Sequence, residues 1–153
     1  MADDKVPLAG GYYPPVGFHF KVEFQNIGND NDSRFQAVSG LSVEYDAESY
    51  KEGGENRFEH KLPVRTKYAD LSLKRGMLTD SNVIKWCQQA FVNREFKPAT
   101  ILIKLLNEKH EPLKTWTVNN AWPRKWSVSD FNAQENSLVV ESLELSYSYF
   151  TVQ

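Results

Sequence analysis

Three histidines, one cysteine and a crowd of carboxylates are the residues in this chain of 153 that could do chemistry. His19, His60 and His110 could ligate a metal or move a proton. No pair of them stands at a ligand spacing such as H-E-x-x-H, and one cysteine cannot build a zinc knuckle. No metal and no cofactor is expected. Cys87 falls on the apolar face of an expected helix, where a buried, inert thiol is the ordinary outcome. The chain contains neither a G-x-S-x-G nucleophile elbow nor a phosphate-cradling G-x-x-x-x-G-K-[ST] loop. Trp116, Trp122 and Trp126 could stack on bases or sugars, but only Lys114, Arg124 and Lys125 accompany them, so aromatic packing is the better reading. No catalytic residue is expected. The unusual residues go instead to an arm, a hairpin and charged strand faces, the distribution of a protein whose work is contact.

The carboxylates gather on one stretch. Leu41, Val43 and Tyr45 alternate with polar residues at the period of a half-buried strand, and then the apolar series thins. Gly53-Gly54 suits a tight turn, and a return arm over Arg57–Leu62 alternates through Phe58, His60 and Leu62. Such a hairpin should protrude, with apolar residues near its base and a polar tip. Standing alone it would be marginal, so a partner or bare solvent must surround it. Residues 44–59 hold Glu44, Asp46, Glu48, Glu52, Glu55 and Glu59 against Lys51 and Arg57. Residues 61–75 reverse the balance, with Lys61, Arg65, Lys67, Lys74 and Arg75 against Asp70. An acidic and a basic segment on one chain suit head-to-tail contact between copies, with simple solvation as the rival reading.

Around this hairpin the sequence predicts one mainly β domain over 1–153. Its length supports a single core, hydrophobic residues are 41%, and aromatics at 13% favour sheet. Net charge is −2, which does not suggest nucleic acid as a partner. The start resembles no secretory signal and no apolar run approaches membrane-spanning length, so synthesis and assembly in the cytoplasm are expected, with no membrane insertion by this chain alone. Residues 1–15, with Tyr12-Tyr13-Pro14-Pro15, predict an arm that docks on something. Strands are expected over about 16–27, 34–46, 68–75, 100–107, 113–119 and 137–150, with an aromatic corner over 121–128. Asp80 is expected to cap a helix over Ser81–Asn93 whose core face is Val83, Ile84, Cys87, Ala90 and Phe91, with Trp86 at its border. Short links make the connections antiparallel, and a small β-barrel or sandwich with one helix follows. The polar face of the last strand, Ser142, Glu144, Ser146 and Ser148, needs wet surroundings.

The segment SGLSVEYDAESYKEGGENRFEHKLPVRTKYADLSLKRG strongly resembles the signature of tail tube proteins of contractile phages and of phage-tail-like contractile injection systems. The EGG and LKRG blocks at that spacing are specific. PPVGFHFKVEF, WTVNNAWPRKWSVSDFNAQENS and LVVESLELSYSYF look like the family's other blocks, so the resemblance runs from about Tyr12 to Phe150.

The resemblance implies a β-barrel with one helix, a fold shared with the type VI secretion tube protein. It implies hexameric rings stacked into a hollow tube, driven outward by a contracting sheath, with protein cargo in the lumen. Partners would be further copies, tube paralogues, sheath and baseplate proteins. The inter-ring hairpin would map to Tyr45, Asp46, Glu48, Tyr50, Lys51, Glu52, Gly53, Gly54, Glu55, Arg57 and Phe58. By charge, Lys61, Arg65, Lys67, Lys74 and Arg75 are the candidate complementary surface, and by polarity Ser142, Glu144, Ser146 and Ser148 are the candidate lumen face, with plain solvent exposure as the rival reading of each. One departure stands out: the family's KLPG reads KLPV over Lys61–Val64. A β-branched Val64 cannot take positive φ without strain, which leaves a specialised member such as the initiator ring on the baseplate as the alternative to the shaft subunit. A monomeric ligand-binding β-barrel and a hydrolase with an unrecognised site are the rival classes.

Overall fold

A computed structural model of the chain describes residues 17, 19–28, 30–54 and 57–153. The expected arm over 1–15, Val16 and Phe18 of the first expected strand, and Glu55 lie outside the described residues. In chain order the strands are β1 (Phe20–Phe24), β2 (Ala37–Ser39), β3 (Val43–Tyr50), β4 (His60–Tyr68), β5 (Leu71–Gly76), β6 (Ala99–Leu106), β7 (Pro112–Val128), β8 (Val140–Ser146) and β9 (Tyr149–Val152). A 3-10 turn, Asp30–Ser33, joins β1 to β2, and one helix, α1 (Asn82–Asn93), lies between β5 and β6.

Alternation along each strand decides which side chains face inward. Val22 and Phe24 of β1, Leu71 and Leu73 of β5, Ile101 and Ile103 of β6, Val118 of β7, and Leu143 and Leu145 of β8 form the buried cluster. Seven strands make one antiparallel sheet in the order β1-β6-β7-β8-β5-β2, with β9 added to β7. The long β7 carries the architecture. Its first half pairs β6 and β9, and its second half pairs β8. Between the halves Asn120 takes φ 55 and the register with β6 slips, so the strand turns and folds one layer over the other. Among the described residues β1 and β2 do not pair, so the sheet is an open sandwich rather than a closed barrel.

The elements differ from the sequence expectation in identifiable ways. The strand expected over 34–46 is cut at Gly40, whose φ is +95. A Cβ there would stand 1.9 Å from the Asp70 carbonyl oxygen. The segments 113–119 and 121–128 are one strand, because Pro123 lies within a strand whose register shifts beside it. The last expected strand breaks after Ser146, and its two pieces pair with different halves of β7. Ser81, not Asp80, caps α1. It has extended backbone (φ −143), and its hydroxyl accepts from the Ile84 N–H at 3.3 Å. The helix is also rotated from its expected face. Trp86 is buried with Val83, Cys87 and Ala90, while Phe91 is exposed. The indole explains the rotation: it packs edge-on against Phe24 at 6.0 Å and donates Nε1–H to the Lys97 carbonyl at 2.7 Å.

Gly40→Ala should cost at least about 2 kcal/mol, since it adds both a left-handed penalty and a backbone clash. Denaturant unfolding of the unassembled protein, compared with Gly53→Ala, where an added Cβ meets open space, measures it.

Candidate assembly interface

β3 and β4 form a two-stranded ribbon outside the main sheet. The ribbon is longer than expected, because pairing continues through Pro63 from His60 to Tyr68. Every described residue of β3 is exposed. The basic residues Lys61, Arg65 and Lys67 belong to the ribbon itself. Glu44 stands opposite Lys67 and Asp46 opposite Arg65, so the acidic and basic segments face each other across the ladder. Val43 and Tyr45, opposite Tyr68 and Thr66, occupy the other face. Val64 is the extra residue of a bulge: the register passes from Asp46↔Arg65 to Ala47↔Pro63. It keeps a negative φ, so the bulge accommodates Val where the family pattern has Gly.

The base of the ribbon is anchored. Tyr68 packs edge-on against Tyr147 at 5.9 Å and Phe150 at 5.2 Å, and the Tyr147 hydroxyl donates to the Gly40 carbonyl at 3.3 Å. Burial, with Tyr68 and Asp70 nearby, raises the Tyr147 pKa above the usual phenol value. Near the turn, His60 stacks on Tyr50 at 5.0 Å and meets Phe58 edge-on at the same distance. Lys51 pairs with Glu59 at 3.2 Å, and the His60 ring lies 3.6 Å from Glu52. The outer end is therefore aromatic as well as charged, against the expectation of a polar tip. Tyr45 is 67% exposed and Phe58 55%, and Tyr50, Leu62 and Val64 are open as well. A partner covering the ribbon would bury large apolar area on it.

Arg75 corrects the expected basic surface. It is 2% exposed, and it points into the sandwich on the same side as Leu71 and Leu73. Its Nε donates to Glu141 Oε2 at 3.1 Å, one terminal nitrogen to Asp32 Oδ1 at 3.3 Å, and the other to the Ser81 hydroxyl at 2.6 Å. Ser81 also hydrogen-bonds Asp32, whose second oxygen accepts from the Asn82 N–H at 3.1 Å. The guanidinium lies over the Phe35 ring at 5.0 Å. This network ties β5, β8, the 3-10 turn and the start of α1 together. Lys74, by contrast, points outward.

Three of the four expected lumen residues share one sheet face. Ser142 lies between Lys74 and Ser127, and Glu144 between Ser72 and Lys125; Ser146 continues the row opposite Trp122. This face is mostly polar, with serines alternating with Lys74, Lys125 and Glu144 and with Trp122 at its end. Ser148 is not on it: it lies in the β8–β9 turn, where its N–H donates to the Asn119 carbonyl at 3.0 Å. Trp116 and Trp126 pack against the core, and Trp122 meets Phe96 edge-on at 5.8 Å. Burial pushes the Cys87 thiol up to about 12, against the pull of Arg75, so thiolate is scarce at neutral pH. Among the described residues, no group of three or more His, Cys, Asp or Glu is placed to hold a metal ion, and no helix is long and apolar enough to cross a membrane.

A long ribbon beside an open sandwich with one helix is an arrangement with known counterparts. The family model of the T4-like virus tail tube protein gp19 matches residues 16–151. The chain belongs to this tail tube family. Among solved structures, a chain of the anti-feeding prophage baseplate is 31% identical with a TM-score of 0.84, covering 92% of this chain and 96% of that one. A chain of an extracellular contractile injection system, the PVC sheath-tube complex in its extended state, is 27% identical with a TM-score of 0.80, covering 94% and 93%. Hcp1 from Flavobacterium johnsoniae, 12% identical with a TM-score of 0.52 over 88% and 94% of the two chains, shares the fold. No curated protein matches the chain.

Arg75→Met should lower unfolding stability by about 3–5 kcal/mol, because it leaves Asp32 and Glu141 buried without their cation. Lys74→Met on the same strand should change it by less than about 0.5 kcal/mol. Denaturant melts of the unassembled variants separate the two positions.

Proposed function

We propose that this chain is a structural subunit of the inner tube of a contractile injection system. Six copies form a ring, rings stack into a hollow tube, and a surrounding sheath drives the tube outward. The family membership supports the tube role, and one observation supports the stacking geometry. A ribbon anchored at its base by Tyr68, Tyr147 and Phe150 holds apolar side chains in solvent along its length. Two strands with no third layer are marginal, and an adjacent ring supplies that layer. Tyr45, Tyr50, Phe58, Leu62 and Val64 are the contact residues, and the charges that stand opposite each other across the ladder set register on the neighbour.

The polar face of Ser142, Glu144 and Ser146 is the proposed lumen lining, where a wet surface lets protein cargo pass. Free strand edges along the sheet are closed by the neighbours in a ring. The role is structural rather than catalytic. Sheath, baseplate and other tube proteins are its proposed partners within a phage-tail-like particle that is assembled in the cytoplasm.

A second reading places the chain in the first rings on the baseplate. It is supported by the likeness to a chain of the anti-feeding prophage baseplate at TM-score 0.84, and by Val64 at the ribbon bulge. The number of copies per particle separates the two, a few marking an initiator and hundreds the shaft.

Replacing residues 48–55 with a short Gly-Ser turn should leave the domain folded, with an unfolding midpoint near that of the parent, and abolish stacking. Negative-stain images of the parent should show rings or short tubes, and those of the variant single rings or monomers. Tubes of unchanged length in the variant, or a parent that stays monomeric at high concentration, would contradict the proposal.

A further inference from the structure

Sequence spacing separates His19 and His110 by 91 positions, and the fold brings their rings together. His110 Nδ1 and His19 Nε2 are 2.8 Å apart, the ring centroids 4.5 Å, and the planes cross at 85°. Both residues are held by backbone. His19 directly precedes β1, and its carbonyl accepts from the Leu106 N–H at 2.9 Å. His110 sits in the β6–β7 turn at φ 62. The Asn107 side chain organises that turn: its oxygen accepts from the N–H groups of Lys109 and Glu111, at 2.8 and 2.9 Å, and its nitrogen donates to the Glu111 carboxylate at 3.0 Å. The pair is open to solvent, and neither ring is packed into the core.

We propose that His19 and His110 form a two-histidine site for a divalent transition metal, with copper(II) or nickel(II) preferred. Two nitrogens facing each other at this distance cannot both carry a proton. Metal nitrogen bonds of about 2.0–2.1 Å at a right angle place two neighbouring ligands about 2.9 Å apart. The observed separation, 2.8 Å, matches that pair. A tetrahedral ion needs about 3.3 Å between ligands, so zinc fits less well. In the neutral pair, one ring moves its proton to its outer nitrogen, both inner lone pairs turn to the metal, and no proton is lost overall. Water fills the remaining positions. Acid competes with the metal, because an imidazolium has no lone pair to give. The Asn107-braced turn fixes one ligand and β1 the other, so little ordering is left to be done on binding.

The test uses untagged full-length protein titrated with copper(II) at pH 7.5, read by electron paramagnetic resonance and calorimetry. The expected result is one copper per chain with a tetragonal spectrum split by two nitrogens. Affinity should fall about tenfold or more in His19→Gln and in His110→Asn, since losing a ligand costs at least as much as losing its outer support. Asn suits the left-handed backbone at 110. His60→Gln should bind like the parent. Unfolding midpoints of all variants show that the domain is intact. Parental affinity and spectrum in either His19→Gln or His110→Asn, or no copper bound by the parent, would overturn the proposal and leave the pair a simple hydrogen bond between a strand and a turn.

Discussion

A guanidinium held inside the sandwich is the interaction on which the rest of the fold is arranged. Arg75 meets Glu141 from β8, Asp32 from the 3-10 turn and Ser81 at the start of α1. Beyond the β5–β8 ladder and the bonds of Asp32 to Ser81 and Asn82, the guanidinium links the strand pair to the 3-10 turn and the helix start in one orientation. Two carboxylates and one guanidinium in a dry interior are costly unless they are paired, so the network tolerates little displacement of any element. It fixes the helix on the core and, through β5, fixes the segment from which the ribbon departs.

That rigidity gives the ribbon a firm root. Gly40 lies against Asp70 where an added Cβ would clash with the carbonyl, and Tyr147 reaches back to the Gly40 carbonyl. The ribbon leaves the sandwich at a set angle, braced by Tyr68 on Tyr147 and Phe150. Beyond that root nothing among the described residues covers it. Folding has organised the ribbon without burying it, which is what an element needs if its apolar area is to be spent on another copy. Cross-strand charges keep it soluble until then. The bulge at Val64 adds local twist, giving the ribbon a shape of its own.

Much of this was legible in the sequence. Period-two alternation located the strands that build the core, and Gly53-Gly54 located the turn of the ribbon. The apolar alternation of the return arm stops at Leu62 and Pro63 follows, yet each strand of a two-stranded ladder has an open edge where proline is tolerated, so pairing continues. Local charge balance places Arg75 on the surface, yet the sequence carries the signal of its burial: Leu71, Leu73 and Arg75 form one inward series, and so do Glu141, Leu143 and Leu145. Two opposite charges at inward positions on paired strands point to a buried ion pair. The bend in β7 and the split between β8 and β9 depend on which strands they meet, and local pattern carries no such information. The meeting of His19 and His110 likewise follows from β1–β6 pairing, which brings the start of one strand beside the end of the other.

The central claim is that the ribbon is completed by a neighbouring copy. Amide hydrogen exchange over residues 43–68, followed in the unassembled protein and in assembled tubes, tests it most directly. The account predicts rapid exchange across β3 and β4 in the free protein, slow exchange in β5 and β8, and strong protection of the ribbon on assembly. Equal ribbon exchange in both states would contradict it.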